Sequence, residues 1–231
     1  MSAQGRPKRS SALCIGVVDT GVNAWHSHVR GAVTGCRVFL GTDGRIDEDG
    51  DFRDPCGHGT AVAAILRKAF PDATIHAVRV FDDDARTYPS LVARGMLRAA
   101  AAGCDYVNVS LSMPPDPAND ALVAACAAIV DAGCVVVAPM RNDRPDWLPA
   151  ALPGVHAVSA DDTLAHGQVR ECEPHRLSAC GRPRDLGSLS GRRNFDGASF
   201  ACAHALVHLE RRRIVERRRR GTRLLPGALG P

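Results

Sequence analysis

The chain has 231 residues, of which 45% are hydrophobic, and its formal net charge is +4. This length is enough for one large α/β domain with a well-buried core. Because the sequence contains no run of about eighteen apolar residues, we expect no membrane-spanning helix and no membrane partner. The positive charge is concentrated near the carboxyl end, where residues 211–223 hold eight arginines and one glutamate, so the remainder carries about −3.

The amino-terminal residues are polar and basic, and the first apolar run is short. We therefore interpret residues 13–18 as a first strand rather than the core of a secretion signal. The nine cysteines are odd in number, and many lie inside apolar stretches. This usage is typical of small buried thiols in a reducing compartment, so we expect a cytoplasmic protein without a disulfide framework.

Apolar, β-branched runs alternate along the chain with alanine-rich stretches. The pattern predicts strands at residues 13–18, 74–80, 106–111, 134–138 and 155–159, and helices at 59–69, 90–102, 118–132 and from about Ser199 onward. Continuous apolar strands that alternate with helices indicate a parallel sheet covered on both faces. Functional groups of such sheets collect at the carboxyl ends of the strands.

No internal repeat or low-complexity linker divides the chain. We expect one catalytic domain over residues 13–209, a flexible extension over residues 1–12, and a basic helical extension and tail over residues 210–231. The arginines of the tail have no aromatic residues among them for stacking on bases, which favours a solvated helix end. Nucleic-acid binding by the tail is the alternative.

Three short motifs predict the chemistry. Asp19 lies in Val-Val-Asp-Thr-Gly at residues 17–21, His58 in Gly-His-Gly-Thr at 57–60, and Ser199 in Gly-Ala-Ser-Phe-Ala at 197–201. A serine hydroxyl is a poor nucleophile near neutral pH and needs an imidazole base that a carboxylate orients. Asp, His, Ser is one of the few chain orders in which such triads occur, so we identify these residues as a candidate catalytic triad.

A triad that attacks a carbonyl also needs donors for the developing negative charge. Ser199 opens a predicted helix, whose first amides point toward such a charge. Asn142 follows the predicted strand at 134–138 and is the candidate for a second donor.

These motifs resemble those of the subtilisin-like serine proteases, the subtilases, and the similarity covers roughly residues 13 to 209. The matching stretches are the three motifs above, Asn-Val-Ser-Leu-Ser at 108–112, residues 149–158, Ala-Cys-Gly at 179–181, and His204. The resemblance implies a three-layer α/β fold with a mainly parallel central sheet and helices on both faces. It also implies a serine endopeptidase that works through an acyl-enzyme. From the residues we expect no cofactor and no metal ligands.

The resemblance implies that Ser199 attacks the peptide carbonyl and that Asn142 helps to bind the oxyanion. It also implies that His58 transfers the proton and that Asp19 orients His58. The peptide lies extended beside Ser110, Leu111 and Ser112, with Met140 next to the pocket for the residue before the cleaved bond. Small subtilases of this kind resemble the intracellular branch that trims ribosomally made peptides, such as the cyanobactin maturation proteases. A peptide or protein, such as a precursor peptide, is therefore the expected partner; the sequence leaves the oligomeric state open.

The chain also departs from the family pattern. Pro139, Met140 and Arg141 precede Asn142, where the family commonly has small residues and glycine. Further departures are Ala61, Ala198 and Ala203. The bulky lead-in changes the pocket or displaces Asn142, so a catalytically weak or inactive peptide-binding module is the alternative function.

Several other residues allow both a functional and a structural interpretation. Asp82, Asp83 and Asp84 form either a site for basic substrate side chains or a solvated turn. For three other groups a functional role is conceivable, but the pattern favours ordinary surface or core residues. These are the acidic loop at residues 43–51 as a calcium site, His204 and His208 as a metal-binding pair, and Cys56 and Cys202 as reactive thiols.

Overall fold

The computed structural model describes residues 12–183 and 197–223, with side chains as far as Arg218. Most of the predicted amino-terminal extension and the last part of the predicted tail lie outside the described residues. The described chain is built from one sheet and helices on both sides of it. None of its helices is both long enough and apolar enough to cross a lipid bilayer.

The described residues contain nine strands and four α-helices. The strands are β1 (Cys14–Asp19), β2 (Val33–Leu40), β3 (Ile46–Asp49), β4 (Thr74–Arg79), β5 (Tyr106–Val109), β6 (Val135–Pro139), β7 (His156–Ala160), β8 (Val169–Glu173) and β9 (Arg176–Ala179). The helices are α1 (His58–Ala69), α2 (Pro89–Ala101), α3 (Asp120–Asp131) and α4 (Gly197–Arg223). A single 3₁₀ turn, Pro117–Asn119, leads into α3.

The strands form one sheet in the order β3-β2-β4-β1-β5-β6-β7-β9-β8. Neighbouring strands are parallel, except for the antiparallel pairs β2–β3 and β8–β9 at the two edges. The central strands are buried on both faces, which explains their continuous apolar runs. In β1, Ile15 and Val17 belong to the core under α1 and α4, whereas Val18 belongs to the core under α2 and α3.

The helices therefore form a layer on each side of the sheet. Small side chains on α1 and α4 let these two helices pack closely on one face, while α2 and α3 pack together on the other. This arrangement confirms the predicted three-layer α/β fold. The predicted boundary between residues 209 and 210 falls inside α4, which is largely buried before that point and polar after it.

The two outermost strands on each side of the sheet, β3 and β2 on one side and β9 and β8 on the other, are the elements that the sequence pattern did not predict. In β2 only Cys36 and Val38 are buried, and in β8 four of the five residues are exposed. Strands of this kind lack the continuous apolar run on which the prediction depended. The part of the acidic loop that forms β3 is stabilised by pairing with β2.

The chain path creates a crevice at the carboxyl end of β1. After β1, the chain adds β2 and β4 on one side of β1. It then crosses to the other side of β1 and adds β5, β6 and β7 there, so the strand order reverses at β1. Helix α1 crosses on one face of the sheet and α2 on the opposite face. Sheets of this type bind their ligands where the strand order reverses, at the carboxyl ends of the strands.

Candidate active site

Asp19 and His58 form a buried pair at the carboxyl end of β1. Asp19 is the last residue of β1 and is fully buried, and His58 is the first residue of α1 and is 6% exposed. The His58 Nδ1 atom lies 2.8 Å from Asp19 Oδ1 and 2.9 Å from Oδ2. A carboxylate in this position holds Nδ1 as the donor, which leaves Nε2 of the neutral ring as an acceptor.

The two glycines around His58 allow this close approach. Gly57, at the N-cap of α1, has a φ of 91°, a left-handed conformation that glycine adopts readily. A Cβ atom added to Gly59 would lie 2.1 Å from the carbonyl oxygen of Gly21 and 3.0 Å from Asp19. Only glycine therefore fits between the start of α1 and the end of β1.

A second buried carboxylate, Asp54, holds the start of α1 in place. Its Oδ1 accepts hydrogen bonds from the N–H groups of Cys56 and Gly57, at 3.0 and 2.7 Å, and from the Thr20 hydroxyl at 2.8 Å. Its Oδ2 accepts from the N–H and the hydroxyl of Thr60, at 2.8 and 2.6 Å. Asp54 thus satisfies amides at the amino end of the helix that carries His58.

Asp54 was not among the predicted site residues. Its signal in the sequence is modest: an aspartate four residues before the histidine, and a threonine in each of the first two motifs that needs an acceptor. The Thr20 hydroxyl joins the two carboxylates, since it lies 2.8 Å from Asp54 Oδ1 and 3.1 Å from Asp19 Oδ1 and accepts the N–H of Gly59. The Asp19–His58 pair therefore sits in a polar network that spans both motifs.

Ser199 is the third residue of α4 and is 3% exposed. In this conformation its hydroxyl donates to the carbonyl oxygen of Ser110 at 3.3 Å. Ser110 directly follows β5, so this hydrogen bond fixes the start of α4 over the carboxyl end of that strand.

Sheet register brings Ser199 to the same edge as the Asp19–His58 pair. Val18 of β1 is opposite Val109 of β5, and the Ser110 N–H donates to the Val18 carbonyl at 3.2 Å, so Ser110 continues the pairing beside Asp19. On the other side, the ring of Phe200 lies 5.0 Å from the ring of His58, centroid to centroid. The three predicted residues, which are far apart in the sequence, thus lie at the same end of the sheet.

Asn142 lies at the tip of a tight, exposed turn after β6. The N–H of Arg144 donates to the carbonyl of Arg141 at 3.1 Å, which places Asn142 and Asp143 in the turn. The Arg141 guanidinium binds the Asp143 carboxylate with two hydrogen bonds and lies 5.2 Å from the centre of the Trp147 ring. The bulky residue before Asn142 therefore braces the turn.

A cavity of about 460 Å³ lies on one side of this turn, and both Met140 and Asn142 line it. Ala160, at the end of β7, lines the same cavity. A Cβ atom built on Gly197 would lie 3.4 Å from the Ala160 Cβ, so the cavity adjoins the start of the helix that carries Ser199. The described contacts do not join the Asn142 side chain to Ser199, and its role as an oxyanion donor remains a prediction.

The segment Ser110, Leu111 and Ser112 leaves the sheet beside Ser199. Ser110 and Leu111 are buried, and among the described residues no backbone hydrogen bond is formed by Leu111 or Ser112. Immediately afterwards, Met113 pairs with Leu148 through two backbone hydrogen bonds of 2.9 Å. The segment therefore continues beyond the carboxyl end of β5, and the turn that carries Asn142 follows the neighbouring strand, β6.

The acidic residues that allowed a substrate-binding interpretation are compensated by arginines. Asp83 pairs with Arg79 at 2.5 Å, and Arg86 pairs with Asp84 at 2.5 Å and with Asp82 at 3.7 Å. In the acidic loop, Arg37 binds Asp49 and Arg53 binds Asp51, and each arginine holds the pKa of its partner carboxyl below the usual range. These carboxylates are occupied by arginines of the same chain.

His204 and His208 contact different partners. The His204 ring lies 5.3 Å from that of His166, and burial lowers the pKa of His204 to about 4. His208 lies 2.9 Å from Glu171, and together with Arg212 it holds the pKa of that carboxyl below its usual range. In residues 12–183 and 197–218, no group of three or more His, Cys, Asp or Glu side chains is arranged so that it could hold a metal ion. Of the two cysteines near the site, Cys202 is fully buried and Cys56 is half-buried.

The sequence profile of the subtilase family matches residues 10–205, a span that includes every predicted site residue. The chain belongs to the subtilase family. This membership agrees with the resemblance of the motifs and with the sheet topology described above.

Characterised subtilases show the same relationship at the level of sequence. The chain is 32% identical over 167 residues to the thermophilic serine proteinase of Bacillus sp. (strain AK1). This alignment covers 67% of this chain and 40% of that protein. The chain is also 32% identical over 165 residues to thermitase from Thermoactinomyces vulgaris, which covers 66% of this chain and 56% of thermitase. The chain thus spans about half the length of these relatives.

Solved subtilase structures share the fold. The protease domain of PatA matches with a TM-score of 0.62 and 25% identity, covering 87% of this chain and 81% of that domain. The prenylagaramide maturation protease PagA matches with a TM-score of 0.61 and 21% identity, covering 86% of this chain and 76% of PagA. A cold-adapted subtilisin-like serine proteinase matches with a TM-score of 0.63 and 21% identity, covering 83% of this chain and 71% of the proteinase.

Proposed function

We propose that this subtilase is a serine endopeptidase that cleaves peptide bonds through an acyl-enzyme on Ser199. His58 accepts the Ser199 proton during attack and returns it to the leaving amine, and Asp19 holds the tautomer of His58 and stabilises the imidazolium. The Ser199 N–H at the start of α4 and the Asn142 side chain stabilise the oxyanion. In the second half of the reaction, water attacks the acyl-enzyme and His58 again acts as the base.

The observation that carries this proposal is the buried Asp19–His58 pair next to the start of α4. A histidine held through Nδ1 presents Nε2 on the far side of its ring. The contact between the Phe200 and His58 rings brings the start of α4 next to His58, and this proximity supports Ser199 as the partner of Nε2. The Ser199 hydroxyl, now bonded to the Ser110 carbonyl, needs a rotation about its Cα–Cβ bond to donate to Nε2. Such hydrogen bonds commonly tighten only when substrate binds.

A fluorophosphonate probe tests the proposal directly, because it reacts only with an activated serine. We expect stoichiometric labelling of the full chain, located on Ser199 by peptide mapping, and none in Ser199→Ala. Ser90→Ala is the matched control, since Ser90 is a half-buried serine on α2 that takes no part in the proposed chemistry. A folded wild-type protein that stays unlabelled and hydrolyses no peptide would refute the proposal.

We further propose that the substrate is an extended peptide, and that a restricted set of peptides, such as ribosomally made precursors, is processed. The backbone of Leu111 and Ser112, which makes no hydrogen bond within the described part of the chain, gives the peptide a strand to pair with, so main-chain hydrogen bonds would supply affinity. The braced turn at Arg141 and the adjacent Met140 limit the shape of the pocket. Similarity to the maturation protease PagA supports the fold of such an enzyme. A peptide-library cleavage profile with no sequence preference would contradict restricted processing.

A second candidate function is a peptide-binding module that does not cleave. The exposed position of Asn142, at the tip of its turn, is the observation that favours it. Isothermal titration of unmutated protein with library peptides, followed by mass spectrometry of the same samples, separates the two functions. Tight binding with intact peptide supports the module, and turnover excludes it.

We also propose the domain limits and location that the sequence predicts: a catalytic domain at residues 13–209, a basic extension after it, and the cytoplasm as the compartment. All nine cysteines lie in the described residues, and none of them is half of a disulfide. Thiols of this number suit a reducing compartment.

A further inference from the structure

Three cysteines come together at the edge of the sheet opposite the candidate active site. Cys14 begins β1, Cys104 lies just before β5, and Cys134 lies just before β6. Since β1, β5 and β6 are adjacent and parallel, their amino ends share one edge. All three cysteines pack on the side of the sheet that α2 and α3 cover.

Cys14 and Cys104 are in direct contact within this group. Their Sγ atoms are 3.3 Å apart, and either thiol can donate to the other. The backbone holds both in place, because the Asp105 N–H donates to the Cys14 carbonyl at 2.8 Å and the Cys14 N–H donates to Asp105 Oδ2 at 3.2 Å. Gly16 is the next residue on the same face of β1; a Cβ at that position would lie 2.7 Å from the Ala99 Cβ and at an ordinary contact distance of 3.4 Å from the Cys104 sulfur.

The two thiols differ in access and acidity. Cys14 is half-buried, whereas Cys104 is 3% exposed. The hydrogen bond from Cys104 lowers the pKa of Cys14, while the same contact together with burial raises the pKa of Cys104 well above its usual range. The more accessible sulfur is therefore the better nucleophile of the pair, and the buried sulfur lies directly behind it.

We propose that Cys14 and Cys104 form a redox modification site: a dithiol that peroxides oxidise to a disulfide and that thiol reductants restore. The Cys14 thiolate attacks a peroxide oxygen, so that an S–O bond forms, the O–O bond breaks and hydroxide leaves to be protonated as water. The Cys104 sulfur then attacks the Cys14 sulfenic acid, forming the S–S bond, and the departing hydroxide takes the Cys104 proton as a second water. Two thiols lose two electrons and hydrogen peroxide gains them.

The oxidised form ties the amino end of β1 to the connection between α2 and β5. A disulfide bond is about 2 Å long, so the sulfurs need to approach by only about 1.3 Å from their present contact. The cross-link spans 90 positions of the sequence, and closing a loop of that size restricts the unfolded chain strongly. Oxidation of this site therefore changes the stability of the domain. The site lies at the end of the strands remote from Ser199, and the proposal does not depend on the proposed catalysis.

Peptide mapping of the full chain tests the proposal. Reduced protein is treated with a few equivalents of hydrogen peroxide, denatured in N-ethylmaleimide, and digested with trypsin plus a protease that cuts before aspartate. Cleavage before Asp105 and Asp131 places Cys104, Cys126 and Cys134 on different peptides. We expect residues 10–18 to be cross-linked to residues 99–104 and to be released by dithiothreitol. Cys14 linked to Cys134, or Cys14 and Cys104 both alkylated after oxidation, would overturn the proposal.

A thermal measurement gives an independent outcome. Oxidation is expected to raise the midpoint of unfolding of the wild-type protein by on the order of 10 °C. Cys14→Ser removes this shift, whereas Cys126→Ser, at a buried thiol that contacts Met96, keeps it. Equal shifts in Cys14→Ser and wild type would refute the assignment, and the peptide map of the wild type decides the question if Cys14→Ser does not fold.

Discussion

Asp54 is the buried carboxylate that holds the start of the His58 helix, and Asp54→Asn tests this role with almost no change in shape. Asparagine keeps one acceptor oxygen. If it replaces Oδ1, it retains the hydrogen bonds from Cys56, Gly57 and Thr20, and its amide group then faces the N–H and the hydroxyl of Thr60. The opposite orientation would leave three donors without their acceptor in place of two.

The magnitude follows from these contacts. A buried N–H without an acceptor costs about 1–3 kcal/mol, and the retained hydrogen bonds lose the contribution of the negative charge. We therefore expect Asp54→Asn to lower the free energy of unfolding by about 2–4 kcal/mol. For a chain of this size, that corresponds to a decrease of roughly 5–15 °C in the midpoint of thermal unfolding.

The assay combines thermal unfolding with the rate of fluorophosphonate labelling at 25 °C. Because His58 opens the helix that Asp54 holds, we also expect the folded variant to label about 10–100-fold more slowly. Asp83→Asn is the control: its side chain is 85% exposed and pairs with Arg79, so its unfolding midpoint should stay within a few degrees of wild type. An Asp54→Asn variant that melts within 2 °C of wild type, or that labels at the wild-type rate, would refute the proposed role.

Three further predictions concern the site and the core. Asp19→Asn should reduce the labelling rate by about 10⁴-fold, because an amide favours the wrong tautomer of His58; a rate within tenfold of wild type would contradict the triad. Asn142→Ala should lower kcat by about 10²–10³-fold with little change in KM, and an unchanged kcat in steady-state peptide hydrolysis would exclude Asn142 as an oxyanion donor. Burial lowers the pKa of His204 to about 4 from its ordinary 6.5, so the unfolded chain binds the extra proton first and stability is lost as the pH falls from about 6.5 toward 4. His204→Leu should therefore show a smaller decrease in unfolding midpoint over that range than wild type, and an equal decrease would show that other groups cause the acid sensitivity.

The central part of the fold could be predicted from the sequence because burial on both faces leaves a direct signal. The strands β1, β4, β5, β6 and β7 are continuous apolar runs, and the predicted limits of each differ from the observed ones by at most two residues. The two outermost strands on each side of the sheet leave no such signal. In β2 and β8 most side chains are at least partly exposed, and hydrogen bonds to a neighbouring strand, which periodicity does not record, make them strands.

The candidate site divides in a similar way. The types and order of Asp19, His58 and Ser199 were sufficient to predict a triad, because few combinations of residues can activate a serine. Asp54 was missed, since its role depends on the five groups around it and not on a motif of its own. For Asn142, the sequence identified a donor after a strand, and the structure adds that the donor lies in an exposed turn braced by Arg141.

By itself, the sequence determined the subtilase family and the parallel α/β core, and it predicted which side chains carry the chemistry, because these depend on residue type, spacing and order. Only the tertiary structure decided which distant residues meet. Parallel register places Ser110 beside Asp19. The packing of α4 on the sheet brings the Phe200 ring against His58, and the chain entering β5 brings the Cys104 sulfur against that of Cys14. Residues separated by tens to more than a hundred positions become neighbours only when the sheet forms and the helices pack on it. For this reason no local pattern in the chain could have revealed these contacts.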